Sequence, residues 1–169
     1  TAEHRTVVET AVDEVAGTVP VISHVGAFQT ADTMERAKDA LAIGVDAIAA
    51  VPPSYFYKPD DEGMLLHYTE LAAAAAPLPV LIYNIPGRTG VTMTPDLYAK
   101  LLEIDNVVGM KDSSGSVFGI GQFVAQCPQA VLFSGDDTQL LAALLAGAGG
   151  GIGLTYNVIP QLFVQLWDN

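Results

Sequence analysis

Positive charge is scarce in this sequence: seven Lys and Arg stand against 19 Asp and Glu in 169 residues, a formal net charge of -12. That shortage excludes a nucleic-acid or anionic-membrane partner, since both call for clustered cations. An anionic small molecule can still be held by a few local ones. There is one cysteine, Cys127. A single thiol makes no internal disulfide and no cysteine-built metal site, and it reads as a small packing residue in a reducing compartment. No stretch reaches the roughly 18 uninterrupted apolar residues of a membrane span. The opening TAEHRTVVE is acidic and amphipathic, unlike a signal peptide. The expected setting is the cytoplasm, with no membrane contact.

What is present is a buried, globular composition, 50% hydrophobic and only 15% charged. Its apolar residues follow two rhythms. Helical spacing marks residues 2–15, where Val7, Val8, Ala11, Val12 and Val15 share one side, and further helices are expected at 30–43, 60–75, 95–104, 117–125, 137–147 and 159–167. Short continuous apolar runs mark strands at 19–23, 46–51, 80–83, 107–110, 131–133 and 150–154. These runs do not alternate with polar residues, so both faces of each strand are expected to be buried. Gly17 and Gly44 end helices, and Thr94-Pro95 reads as an N-cap followed by proline at the first helical position. No linker or change of composition divides residues 1–169. The reading is one α/β domain with a parallel sheet.

In such a domain, chemistry collects in the loops at the carboxyl ends of the strands. VVGMKDSSG (107–115) ends a buried strand on Lys111. Desolvation at that lip favours a neutral, nucleophilic amine, as Schiff-base chemistry requires, although on the local sequence alone an ordinary solvated lysine is the commoner case. Tyr83 ends another apolar strand at the same lip, either as a proton relay or as a half-buried core tyrosine. The following loop, 84–90, presents Arg88, whose planar fork suits a carboxylate and also suits a surface salt bridge. Gly135 allows close approach of backbone to a ligand, and Asp137 could be no more than a helix N-cap. His24 and His67 have no partners at metal-ligand spacing, and no metal is expected. The glycines of 147–153 run into a strand instead of opening a helix, so they are not a phosphate-binding fingerprint.

YNIPGRTG (83–90), VVGMKDSSG (107–115), FSGDD (133–137) and GGIGLTYN (150–157), in this order and spacing, resemble the family of dihydrodipicolinate synthase and N-acetylneuraminate lyase. The resemblance runs through essentially the whole chain. It implies a parallel (β/α)8 TIM-barrel fold and a pyruvate-dependent class I aldolase. It further implies that Lys111 forms the Schiff base, that Tyr83 relays protons, and that the backbone at Gly135 and the side chain of Leu154 line the pyruvate pocket. No cofactor is implied beyond the covalent imine, and the small-molecule partners are a 2-keto acid, pyruvate, and an aldehyde.

Within that family, Arg88 resembles the arginine with which the synthase branch holds the carboxylate of aspartate semialdehyde. The lyase branch carries Asp-Glu after the FSG-like strand and a serine in the last strand. Here Asp137 precedes Thr138, and Leu154 takes the serine's place, so the synthase is the expected reading. An N-acetylneuraminate lyase-like or other 2-keto sugar-acid aldolase or dehydratase is the alternative, and His24 leans toward it. The synthase's aromatic loop usually has a tyrosine, reaching into a neighbouring subunit's site, where this chain has Phe56, so either Tyr55 or Tyr57 would substitute or the relay would differ. Family members carry two further strands and a Gly-Thr-Thr-Gly-Glu motif ahead of the segment matched by residue 1. The chain is therefore expected to hold about six of eight βα units, as one partial TIM-barrel domain. A homo-oligomer, dependence on an upstream segment, and a truncated non-catalytic homologue are the corresponding expectations.

Overall fold

Six parallel strands, paired in chain order, form one sheet in the computed structural model, which describes residues 2–168. They are β1 (Ile22–His24), β2 (Ala47–Ala50), β3 (Val80–Asn84), β4 (Val107–Asp112), β5 (Val131–Ser134) and β6 (Gly150–Gly151). Helices α1 (Ala2–Val15), α2 (Thr30–Ile43), α3 (Asp61–Ala75), α5 (Pro95–Leu101), α6 (Val117–Gln126), α7 (Leu140–Leu145) and α8 (Pro160–Asp168) alternate with them, and a single turn, α4 (Pro86–Thr89), follows β3. Strand order identical to chain order, with a helix between successive strands, is the winding of a (β/α)8 barrel. Six of its βα units are present, and the sheet is a half-barrel.

The helices begin and end where their local chemistry allows. Thr94 accepts a hydrogen bond from the Leu97 amide at 3.2 Å, with Pro95 in the first turn of α5. Asp60 and Ser116 do the same for α3 and α6, each accepting from the amide three residues on at 2.9 Å. Gly44 closes α2 at φ 92°, a left-handed conformation that only glycine enters without strain.

The helices cover one face of the sheet. Ile48, Ala50, Val80, Ile82, Met110 and Leu132 point into that layer and are buried with Met64, Leu71 and Tyr98. Tyr68 lies wholly within it and donates its hydroxyl to the Ala50 carbonyl at 2.8 Å. The opposite face meets the expectation of burial only in part: Ala49 and Leu81 are buried, whereas Ile22 is 39% and Val131 42% exposed. In a closed barrel, side chains of facing strands fill that space. A six-stranded half-barrel has no facing strands, so burial on both sides holds for the central Ala49 and Leu81 and fails at Ile22 and Val131.

Other boundaries also shift. β1 starts at Ile22 and takes in His24, and β6 shrinks to two residues, so Leu154 lies beyond the strand. The segment read as one helix from 137 is a 3-10 turn, Asp137–Gln139, leading into α7. Its N-cap is Asp136, which accepts from the Thr138 amide at 2.9 Å, and this frees Asp137 for another role. Among the described residues no helix is long and apolar enough to cross a membrane.

Candidate active site

Parallel register brings the strand ends to one level. Tyr83 of β3 is paired with Lys111 of β4, and Lys111 with Phe133 of β5. One residue further on, Asn84, Asp112 and Ser134 pair in the same way. Side chains alternate along a strand, so the first trio shares the open face and the second the helix-covered face. All three of the second trio are buried. Asp112 accepts from Asn84 Nδ2 at 2.5 Å and from the Ser114 hydroxyl at 2.7 Å, which gives a buried carboxylate the partners it needs. Backbone bonds extend the ladder past the strands: Ser113 N–H to Asn84 O at 2.8 Å, Gly135 N–H to Asp112 O at 2.7 Å, and Ile152 N–H to Ser134 O at 2.8 Å. The chain just beyond β4, β5 and β6 is thus held against the end of the preceding strand, along one rim.

On the open face, Lys111 Nζ lies 4.3 Å from the centroid of the Tyr83 ring. That distance is within cation–π range and puts amine and phenol side by side. His24 also meets Tyr83 edge-on, with ring centroids 5.7 Å apart. Burial lowers the His24 pKa first, and the charges of Arg36, His4 and Lys111 lower it further. A neutral imidazole beside Tyr83 can accept a proton. The sequence discounts His24 only as a metal ligand; its place at a strand end is the signal that puts it at this rim.

Gly135 has a steric reason to be glycine. A Cβ there would lie 2.8 Å from Lys111 Cε and 1.9 Å from the Ser113 hydroxyl. The lysine stem passes through the space that a side chain at position 135 would fill. Ser113 Oγ is buried in this corner with no hydrogen-bond partner among the described residues.

Asp137 closes the rim on the β6 side. Its carboxylate accepts from the amides of Leu154, at 3.0 Å and 3.1 Å, and Thr155, at 2.7 Å, and from the Thr155 hydroxyl at 2.7 Å. Burial pushes its pKa up, but the hydrogen bonds from Thr155 and Leu154, helped by the Lys111 charge, outweigh this and hold it below the ordinary value.

Arg88 ends the short turn α4 on the same rim and is exposed. Among the described residues the ion pairs involve only Arg5, with Glu9 and Asp39, so neither Arg88 nor Lys111 is held in one. Leu154 stands at the lip, 80% exposed. The candidate relay tyrosines make their contacts elsewhere. Tyr55, at φ 86°, packs against Phe28 and Phe56, and the Tyr57 hydroxyl would lie 3.2 Å from a Cβ on Gly63 in α3. Within one chain neither is against Tyr83, and the expected relay runs into a neighbouring subunit's site. No group of three or more His, Cys, Asp or Glu is arranged to hold a metal ion among the described residues.

The model of the dihydrodipicolinate synthetase family matches residues 1–169. The 4-hydroxy-tetrahydrodipicolinate synthase of Saccharophagus degradans is 41% identical over 167 residues, which are 98% of this chain and 57% of that protein. Among solved structures, a chloride-inhibited dihydrodipicolinate synthase from Acinetobacter baumannii, complexed with pyruvate, superimposes with a TM-score of 0.91 at 36% identity, covering 97% of this chain and 56% of that one. A catalytic-lysine mutant of the Ruminococcus gnavus sialic acid aldolase gives 0.93 at 35% identity, covering 97% and 54%. The chain spans a little over half the length of the relatives it matches.

Proposed function

Because this chain belongs to the dihydrodipicolinate synthetase family, we propose that its open face carries Schiff-base chemistry on pyruvate, as in 4-hydroxy-tetrahydrodipicolinate synthase. The Lys111 amine, once it has given up its proton, adds to the ketone carbon of pyruvate, and the carbinolamine loses water to give an imine. Loss of a methyl proton leaves an enamine, whose carbon attacks the aldehyde of the second substrate. Tyr83, beside the amine, passes the protons to and from the carbinolamine and the new alkoxide. Arg88 holds the carboxylate of an aldehyde such as aspartate semialdehyde. Hydrolysis of the product imine then frees Lys111. Gly135 and Leu154 border the pyruvate, and no metal or organic cofactor takes part.

The observation that carries this reading is Lys111 Nζ at 4.3 Å from the Tyr83 ring, at matching strand ends and with room made by Gly135. The activity belongs to a site whose remaining wall comes from other polypeptide, either a further segment or a second copy in a homo-oligomer. The buried single cysteine accords with a reducing, cytoplasmic setting.

A second reading, cleavage of a sugar acid, is favoured by His24 against Tyr83 and by the likeness to the sialic acid aldolase. Pyruvate consumption decides between them. The synthase reading predicts turnover with aspartate semialdehyde and none with N-acetylmannosamine; the opposite preference would reject it.

A further inference from the structure

The carboxylate of Asp137 is committed before any substrate arrives. A carboxylate offers about four acceptor positions. Here three donors occupy it: the Leu154 amide, bridging both oxygens, and the amide and hydroxyl of Thr155, both on Oδ2. Oδ1 is covered by Gly153, on which a Cβ would lie 1.8 Å from that oxygen. β6 consists of only Gly150–Gly151, so its own ladder does little to fix the chain beyond Ile152. The carboxylate supplies what the strand lacks. It ties the end of β6 to the end of β5, on the side of the site where Lys111 and Gly135 stand.

We propose that Asp137 is the positioning residue of this site: it holds the Leu154–Thr155 backbone as the site's β6 wall, and being so occupied it offers no acceptor to a hydroxyl-rich substrate. This rests on the reading of Lys111 as the reacting amine. The wall then presents the apolar side chain of Leu154, which suits a small aldehyde better than a polyol. Asp137 acts through the loop and touches no reacting atom.

Amide hydrogen exchange on the whole chain tests the clamp without any substrate. Asp137→Asn keeps the size of the side chain but turns an NH2 group toward N–H donors. The amides of Leu154 and Thr155 should then exchange at least about tenfold faster, while those of Leu81 and Ile82 in β3 hold their protection. Thr155→Val, which removes one donor of three, should give a smaller increase. Gly153→Ala, which drives the carboxylate out from the other side, should reproduce the Asp137→Asn pattern and serves if that variant does not fold. In turnover, the variants should raise KM for the aldehyde more than they slow trapping of pyruvate on Lys111. Unchanged exchange at Leu154 and Thr155, or equal acceleration throughout the sheet, would overturn the proposal. Absence of a pyruvate adduct in the unaltered chain would instead reject the Schiff-base reading, and the exchange result would stand apart from it.

Discussion

Lys111 owes its surroundings to residues that carry no charge. Tyr83 flanks it through strand register, and Gly135 leaves its stem a channel. Both were legible in the sequence as strand-end residues, but the register that makes them neighbours was not, because it depends on pairing between segments 28 residues apart (Tyr83 and Lys111). Arg88 lies on the same rim without an ion pair among the described residues. Arg88→Ala should therefore lower kcat/KM for an aldehyde bearing a carboxylate by about ten- to a hundredfold, the worth of a charged hydrogen bond, with pyruvate trapping largely intact. Equal losses with neutral aldehydes would remove that role. His67 makes a different prediction. It is buried, its Nδ1 is bonded to the Thr30 hydroxyl at 2.8 Å, and burial lowers its pKa from 6.5 to about 4. The unfolded chain then binds a proton that the folded chain refuses. The resulting stability is complete above pH 6.5 and is lost as pH falls toward 4, by about 3 kcal/mol at most. Denaturant melts of His67→Gln should lack that part of the acid slope; an unchanged slope would show that His67 does not supply it.

At the scale of elements, helices were read more accurately than strands. α2 and the start of α5 fell where their capping glycine and Thr-Pro signals put them. β1 and β6 did not, because an apolar run continues past the point where a neighbour's backbone can pair with it. The turn α4 was hidden in a loop rich in proline and glycine. The α1 pattern is covered unevenly: Val8 is buried, whereas Val7, on the same predicted face, is 68% exposed. Periodicity marks a face without saying what covers it. The pairing of β4 with β5 rests on Gly109, where a Cβ would lie 2.0 Å from the Val131 carbonyl oxygen. That oxygen belongs to backbone and cannot swing aside. Gly109→Ala should cost roughly 1–3 kcal/mol or more and weaken amide protection in β5. A melting curve like that of the parent chain would show that the two strands part without penalty.

For the molecule as a whole, the open sheet poses the main physical question. β1 and β6 each have a partner on one side only among the described residues. Beside them stand Ile22, Leu154, Val164 and Trp167, from 39% to 80% exposed. Unpaired strand edges next to apolar surface recruit further chain. Sedimentation at micromolar concentration should show association, and a monodisperse monomer with one cooperative melt and full turnover would contradict this. The central claim concerns Lys111, and reductive trapping reaches it most directly. The chain is incubated with pyruvate and borohydride, digested, and mapped by mass spectrometry. One reduced pyruvate adduct is expected, on the peptide containing Lys111, and none in Lys111→Ala. An adduct on Lys58 or Lys100, or one that persists in Lys111→Ala, would contradict it.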